Sequence, residues 1–267
     1  MNLKKYISLT RAGILESLQF RISVIVAFVG NMFYLMVIYF LWKAIYASSG
    51  TDIVNGMTFS DTMIYLVFAS ALFNFMEMFT VWQIGVNIQN GKIVLDLLKP
   101  MKFYSYMFWS MSGNIAVQFF TSFLPTFIVV YFLTDGYIHL GINLLYFIIS
   151  VLMSVVINFS IDFFVGTICL YTESIWGINI MKQVIVLLLS GATIPVAFFP
   201  EPLKTIIYYL PFQSVYNSPL TLLINKDIST AAAFKTLAMQ LVWCVIMILI
   251  SRLFWKVSLR KITVNGG

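Results

Sequence analysis

Several long stretches of this chain contain no charged residue. Residues 22–42 form one such stretch, and residues 103–134 form a longer one. An α-helix rises about 1.5 Å per residue, so about 20 consecutive apolar residues cross the hydrocarbon core of a bilayer. Stretches of this length and composition predict helices that span a membrane.

The overall composition indicates the same class of protein. Hydrophobic residues make up 61% of the chain and charged residues only 10%, whereas soluble domains carry about 25% charged residues. A soluble fold could not bury this much apolar surface, so lipid must cover part of it. The net charge of +6 is explained by cytoplasmic loops that face anionic lipid, and we do not expect nucleic acid as a partner.

The apolar pattern predicts an all-α fold, with one polytopic membrane domain over residues 1–267. Pro125 lies inside the third of six predicted spans. It should distort that helix, because proline removes a hydrogen bond and crowds the preceding turn. The six predicted spans are residues 22–46, 59–84, 103–133, 140–170, 178–195 and 236–255.

The first 20 residues have the pattern of an amphipathic helix. Leu3, Ile7, Ile14 and Leu18 recur at helical spacing on one face, and basic residues lie elsewhere. Such a helix is typical of the interface between a membrane and the cytoplasm, so we predict an interfacial helix over residues 1–20. A soluble N-terminal helix is the alternative.

Residues 197–225 are apolar but interrupted by helix breakers. Polar residues also lie in the middle of this region, and a continuous span is therefore unfavourable. We predict two short re-entrant helices, with their irregular backbone buried in protein. The prolines in and just before the region are Pro195, Pro200, Pro202, Pro211 and Pro219.

The basic residues indicate the number of spans and the orientation. With six spans both termini are cytoplasmic, and 12 of the 16 Lys and Arg residues fall in cytoplasmic segments. A seventh span through residues 208–223 would move the basic cluster at residues 252–261 outside. Because Lys and Arg in short loops set the orientation, six spans are favoured. The 12 residues are Lys4, Lys5, Arg11, Arg21, Lys92, Lys99, Lys102, Lys182, Arg252, Lys256, Arg260 and Lys261.

A short, half-apolar segment at residues 85–100 lies between the second and third spans. A helix that docks into a groove on a partner would have this pattern, and Pro100 would end it. The alternative is a helix that rests on lipid headgroups, with Lys92, Lys99 and Lys102 facing phosphates. The apolar residues, too few to span and too many for a solvated loop, are Ile88, Ile93, Val94, Leu95, Leu97 and Leu98.

Two acidic residues, Glu77 and Asp162, fall within or near predicted spans. A charge at the bilayer centre costs roughly 2.5–3.5 kcal/mol on insertion scales, so such residues tend to face a cavity or a partner. Together with Phe73 and Met76 they are candidates for a substrate pathway that favours cationic compounds. The alternatives are a structural ion pair, a position near the membrane interface, and simple packing of the Phe and Met side chains.

Two stretches carry recognisable motifs. IQNGKIVLDLLKPMKFYSY places Gly91, Ile93, Leu97 and Pro100 in the order G-x-I-x-x-x-L-x-x-P, and ATIPVAFFPEPLKTIIYYLPFQ follows P-x-x-x-F-P-x-x-L-x-x-x-x-x-x-L-P-F. Both resemble ABC-2-type permeases, the membrane subunits of a class of ABC exporters. With the six-span layout, the resemblance covers the whole chain and is greatest to the daunorubicin-resistance-like subgroup of drug-export permeases.

The resemblance implies a pair of membrane subunits bound to two cytoplasmic ABC ATPase subunits. A related second permease chain is favoured over a second copy. Residues 85–100 would form the coupling helix, which fits a cleft on the ATPase, and Gly91 would allow a tight turn there. Lys92, Asp96 and Lys99 would form charge pairs with the ATPase. Leu97 and Leu98 would fill its cleft, and Pro100 would end the helix.

The resemblance also implies that the two short helices help to close an exit, and there Pro200, Pro211 and Phe212 are the candidate residues. The chain lacks a G-x-x-x-x-G-K-[ST] phosphate loop, so ATP and Mg²⁺ are expected on the ATPase and no cofactor on this chain. It also lacks H-E-x-x-H and G-x-S-x-G, and its two cysteines have no metal-ligand spacing.

These observations predict a non-enzymatic permease subunit of an exporter. It would move a hydrophobic or amphipathic compound out of the cell, across a bacterial cytoplasmic membrane. The alternative is a proton-coupled secondary transporter in which Glu77 or Asp162 carries the proton.

Overall fold

The computed structural model describes residues 3–19, 21–134, 141–172, 174–225 and 228–261. Within these ranges the chain is almost entirely helical, which confirms the all-α class. The two strands described, β1 (Ile53–Val54) and β2 (Met57–Thr58), form a small antiparallel hairpin. The α-helices are α1 (Leu3–Gln19), α2 (Arg21–Ser49), α3 (Phe59–Met76), α4 (Thr80–Gln89), α5 (Ile93–Leu97), α6 (Phe103–Gln118), α7 (Leu124–Leu133), α8 (Ile142–Ile168), α9 (Ile175–Leu189), α10 (Glu201–Tyr208), α11 (Asn217–Ile224) and α12 (Thr230–Ser258).

Five helical stretches in the described residues are long and apolar enough to cross a membrane. The predicted span at residues 178–195 corresponds to α9, which begins earlier and has only 15 residues. It is about 22 Å long, less than a hydrocarbon core of about 30 Å. Residue 140, where the fourth predicted span begins, lies outside the described residues. The five stretches are Val29–Ser49, Phe59–Gln89, Phe103–Leu133, Ile142–Ile168 and Thr230–Ser258.

The centre of the fold is α8, which packs against α4, α9, α11 and α12. Two of its side chains, Phe159 and Phe163, are completely buried, and the Tyr104 ring of α6 lies 5.0 Å from each of theirs. Trp255 of α12 stacks on Phe103 at 4.4 Å. Such aromatic pairs each stabilise a fold by about 0.5–1.5 kcal/mol beyond the burial of their area, so this cluster joins α6, α8 and α12.

The N-terminal helix is present, and its packing partner is α6. Tyr6 contacts Trp109, and the backbones approach most closely at Gly13 and Gly113. A Cβ atom added to Gly113 would lie 2.5 Å from the carbonyl oxygen of Thr10. Small residues allow this close approach between helices. One face of α1 therefore lies against a spanning helix.

The second predicted span, residues 59–84, is interrupted. α3 ends at Met76, the backbone of Glu77 is extended, and α4 begins only at Thr80. The side-chain amide of Asn158 on α8 donates a hydrogen bond of 2.9 Å to the Met76 carbonyl, one of the groups that a helix end leaves unpaired. A continuous helix was predicted here, and the structure has a break. At the break the Asn158 side chain takes the place of the backbone N–H that would bond to the Met76 carbonyl in a continuous helix.

The third predicted span is also irregular, at the expected position. Residues 119–123 form a π-helical turn between α6 and α7, and Pro125 lies in the first turn of α7. A π-helical turn is a common way to accommodate a break in the regular hydrogen-bond ladder. The distortion predicted from Pro125 thus takes the form of a widened turn immediately before it.

Residues 197–225 contain two short helices, as predicted. A 3₁₀ turn over residues 212–214 separates α10 from α11. Gln240 of α12 is completely buried and donates a hydrogen bond of 2.9 Å to the Ser214 carbonyl. It also accepts one of 2.7 Å from the Ser150 hydroxyl, and Ser154 donates one of 2.9 Å to the Ser214 carbonyl. This Gln240 network (Ser150, Ser154, Ser214 and Gln240) holds the irregular turn inside the protein.

Candidate functional site

The four residues predicted on a substrate pathway meet at one cavity. Phe73, Met76, Glu77 and Asp162 all line it, because the break after α3 turns the chain towards α8, which carries Asp162. The cavity, here called the Asp162 cavity, has a volume of about 50 Å³. A water molecule needs roughly 10–15 Å³ measured in this way, so there is room for a few small groups.

An ion pair lies in the wall of the Asp162 cavity. Lys182 Nζ of α9 donates a hydrogen bond of 2.8 Å to Asp162 Oδ1, and the two side chains are only 12% and 1% exposed. Lys182, which the sequence pattern assigned to a cytoplasmic segment, lies within α9 with its side chain largely buried. A buried pair depends on both partners, since either charge alone would be strongly unfavourable there.

The second carboxylate oxygen of Asp162 is not satisfied by the protein. Asp162 Oδ2 is buried and has no hydrogen-bond partner among the described residues. Buried polar atoms are nearly always bonded, so an orphan atom requires an explanation. Here the atom belongs to a residue in the cavity wall, which also contains the Glu77 carboxylate and the Asn158 and Asn179 amides.

The mouth of the Asp162 cavity is aromatic. Phe79 and Trp82 line it and are 61% and 48% exposed. Deeper in the cavity, the ring of Tyr216 lies 6.4 Å from that of Phe73. A ligand entering from the surface would therefore pass exposed aromatic side chains before it reaches the carboxylates.

A polar stripe on α8 carries Asp162, and the sequence alone contained its signal. Ser150, Ser154, Asn158 and Asp162 recur at every fourth position, and all four are buried. Residues four apart lie on one face of a helix. This periodicity within an otherwise apolar helix could have predicted a polar face turned towards the protein, although not Lys182 as the partner of Asp162.

The segment at residues 85–100 is not one helix. α4 continues to Gln89, the chain turns at Gly91 with φ +68, and α5 has only five residues. The left-handed φ explains the glycine, because other residues adopt this conformation at a cost. The tight turn implied for Gly91 is therefore present, whereas the single helix is replaced by a helix end, a turn and a short helix.

Internal hydrogen bonds hold the segment in place. Asp96, which is buried, accepts hydrogen bonds of 2.8 Å from Asn87 Nδ2 and 2.7 Å from Lys99 Nζ. Lys99 Nζ also donates one of 2.6 Å to Tyr106 Oη. Burial acts to lower the pKa of the Lys99 ammonium, but these bonds to Asp96 and Tyr106 outweigh it and place the pKa above its ordinary value.

The side chains that face outward differ in part from the expected set. Lys92 is exposed, whereas Leu97 is half-buried and packs against the core. Leu98 is 76% exposed and Leu95 is 65% exposed. The segment thus presents Leu95 and Leu98, three residues apart, on its surface. The sequence did not predict the outward position of Leu95, because that position depends on where α5 begins.

The candidate exit residues lie at the starts of the short helices. Pro200 is exposed just before α10, whereas Pro211 is buried at the start of the 3₁₀ turn and Phe212 packs against the core. Beside them a groove of about 440 Å³ is lined by residues of α10, α11 and α12. A role of these residues in an exit stays a prediction.

Together, the apolar helices, the short paired helices and the exposed segment between α4 and α6 define a multi-pass membrane protein. The family model for ABC-2 family transporter proteins matches residues 32–266. The chain therefore belongs to the ABC-2 family of transporters, as the resemblance suggested. Membership makes it a membrane permease subunit of an ABC transporter, which works with ATPase subunits. No curated protein matches the chain.

Proposed function

We propose that this permease belongs to an ATP-driven exporter of hydrophobic or amphipathic compounds. ATP would be bound and hydrolysed by two separate ATPase subunits on the cytoplasmic side. A second permease, a related chain in preference to a second copy, would complete the membrane part. In this arrangement the chain lies in a bacterial cytoplasmic membrane with both termini inside.

The exposed pair Leu95 and Leu98 is the observation that carries the proposal. Covering such an exposed apolar pair with a partner surface is favourable, because it removes apolar area from water. Asp96, between them in sequence, is fixed by Asn87 and Lys99, so the two leucines are held in one arrangement. A pre-organised apolar pair suits a preformed cleft on a protein, because little entropy is lost when it docks.

The position of α4 supports a coupling role for this segment. α4 leads directly into the turn at Gly91, and it packs against both α8 and α9. Its other end carries Trp82 and follows the break at Glu77, which places it at the mouth of the Asp162 cavity. A movement imposed on the segment would be transmitted along one rigid helix to the cavity.

The proposal is tested by the double variant Leu95→Asp and Leu98→Asp, co-expressed with the ATPase subunits. We expect co-purification to fall by about tenfold or more, since hot-spot residues contribute at least about 2 kcal/mol each. Ile53→Asp, which also places a charge on an exposed apolar residue, in the β1 strand, is the matched control. Wild-type recovery of the ATPase with the double variant would contradict the proposed docking surface.

A proton-coupled secondary transporter is the second candidate, and the half-buried Glu77 and the buried Asp162 carboxylates favour it. The two mechanisms differ in their energy source. In proteoliposomes that contain the permeases and the ATPases, ATP without a pH gradient should drive transport of a fluorescent amphiphile. Transport that needs a pH gradient and is indifferent to ATP would favour the proton-coupled mechanism.

A further inference from the structure

We infer that the Asp162 cavity is a binding site for an organic ammonium group, the head of an amphipathic compound. The inference rests on the proposed export function and deepens it, because it gives the chemical class of the compound that the permease takes up. Four features of the cavity carry it, namely its charge, its orphan oxygen, its size and its aromatic mouth.

The charges of the cavity favour a cation. Glu77 and Asp162 contribute two carboxylates and Lys182 contributes one ammonium. These are the charged groups in its wall within the described residues, so the cavity holds one excess negative charge when all three are ionised. An uncompensated buried charge is unfavourable, and a monovalent cation would neutralise it.

The orphan oxygen supplies a specific bonding site. Asp162 Oδ1 is engaged by Lys182, whereas Oδ2 has no partner in the described part of the chain. A carboxylate can accept hydrogen bonds at both oxygens. A ligand ammonium can therefore bond to Oδ2 without displacing Lys182, and a charge-assisted bond of this kind is stronger than a neutral one.

The size of the cavity limits what enters. About 50 Å³ holds a small headgroup but not a drug-sized molecule, whose pockets measure about 300–1,000 Å³. The apolar body of the ligand must remain at the mouth, where Phe79 and Trp82 are exposed. Aromatic faces attract cations as well as apolar chains, so the mouth suits both parts of an ammonium amphiphile.

The test is equilibrium binding to the full-length chain in a nonionic maltoside detergent, without ATP. Radiolabelled decylammonium is compared with decanol, which has the same apolar tail and no charge, and protein-free micelles give the blank. We expect decylammonium to bind at least about tenfold more tightly, as expected for one charge-assisted hydrogen bond. Equal affinities for the amine and the alcohol would overturn the inference.

Replacing the acidic and the basic partner of the ion pair in turn distinguishes a ligand site from a purely structural pair, because the two changes should shift ligand affinity in opposite directions. Asp162→Asn should weaken decylammonium binding by about tenfold or more, whereas Lys182→Gln should strengthen it, because a competing positive charge is removed. Asp52→Asn removes an exposed carboxylate outside the cavity and should leave binding unchanged. Weaker binding in Lys182→Gln protein that remains folded, or unchanged binding in Asp162→Asn, would refute the site.

Protein that fails to fold is detected by size-exclusion chromatography. If Asp162→Asn aggregates, Glu77→Gln takes its place, and it should weaken binding of decylammonium but not of decanol. Full affinity of Glu77→Gln for decylammonium would then overturn the inference.

Two sources could supply the ammonium group. Competition by phosphatidylethanolamine, but not by phosphatidylglycerol, would identify a lipid headgroup, and competition by neither would identify a free amphiphile. The binding assay contains no ATPase and no ATP. A negative binding result would therefore concern the ammonium site alone and not the docking of the ATPase at Leu95 and Leu98.

Discussion

The Gln240 network and the Asp162 cavity lie on the same polar stripe of α8, yet they are built differently. In the network, neutral side chains bond to one another and to the irregular backbone at Ser214. In the cavity, an ion pair from Lys182 satisfies only one oxygen of Asp162. Empty space and exposed aromatic side chains lie beside the ion pair, whereas no residue of the Gln240 network lines either the Asp162 cavity or the groove between α10, α11 and α12.

This difference is the basis on which we assign a structural role to the network and propose a binding role for the cavity. A fully bonded neutral network stabilises one arrangement of the backbone, which the turn between α10 and α11 requires. A charged, incompletely bonded group is unfavourable in the fold, and the proposed ammonium site would account for its retention. Burial alone does not distinguish the two clusters, because Asp162 and Gln240 are both completely buried, whereas charge and bonding do.

The largest effect is expected from breaking the ion pair. Lys182→Met leaves the Asp162 charge buried without its partner, and such changes cost about 3–5 kcal/mol. Thermal unfolding of the purified protein in detergent should show a large loss of stability. The double variant Asp162→Leu with Lys182→Met should recover most of it, since apolar replacement of a buried pair is often neutral. A double variant as unstable as the single one would show that the pair is not the cause.

A smaller effect is expected in the network. Gln240→Leu removes the acceptor of the Ser150 hydroxyl and one of the two hydrogen bonds to the Ser214 carbonyl, which keeps the one from Ser154. An unsatisfied buried group costs about 1–3 kcal/mol. The same unfolding measurement should show this loss, while decylammonium binding stays at the wild-type level. Loss of ligand binding in Gln240→Leu would show that the network and the cavity are coupled and do not act as separate clusters.

The break before α4 should respond more weakly still. Asn158→Ala removes the hydrogen bond to the Met76 carbonyl, a change of about 1 kcal/mol. Because that carbonyl lies at the end of α3, we expect faster amide hydrogen exchange over residues 77–82 and little change over α12. Uniform exchange rates in the variant and the wild type would show that Asn158 does not secure the break.

The partly exposed pair between Lys99 and Asp96 should matter least, because Asp96 keeps its hydrogen bond from Asn87 when Lys99 is replaced. Its nitrogen–oxygen distance is 2.7 Å, close to that of the buried pair, but the Lys99 side chain is 40% exposed, and such pairs contribute less than about 1 kcal/mol. Because the folded state raises the Lys99 pKa, its contribution is present at neutral pH and is lost as the pH rises above about 10. The stability difference between wild type and Lys99→Met should therefore shrink at high pH, and a constant difference would contradict this.

Much of the fold could be predicted from local patterns. Uncharged apolar stretches indicated the long helices, Pro125 marked an irregular turn, and the prolines near Pro200 and Pro211 indicated short helices. The interruption after Met76 could not be predicted in this way. The residues around Glu77 are apolar enough for a continuous helix, and at the break the Met76 carbonyl accepts a hydrogen bond from Asn158, which is distant in the sequence.

The candidate site was predictable only in part. Glu77 and Asp162 stood out because carboxylates are rare in apolar helices, and the structure brings them to one cavity. Lys182 did not stand out, because it follows a predicted cytoplasmic turn, where basic residues are common. Leu95 and Leu97 were likewise equivalent as apolar residues, and the turn at Gly91 determined which of them faces outward.

The amino-acid sequence was sufficient to establish a multi-pass helical membrane protein, because the transfer of side chains from water to lipid depends on composition over about 20 residues. It was also sufficient to identify the two carboxylates as exceptional, because their cost in lipid is a property of single residues. The partner of Asp162, the orphan oxygen and the outward position of Leu95 depend on contacts between distant segments. Such contacts require the packed structure, since hydrogen bonds and ion pairs form only between groups that the fold brings within about 3 Å.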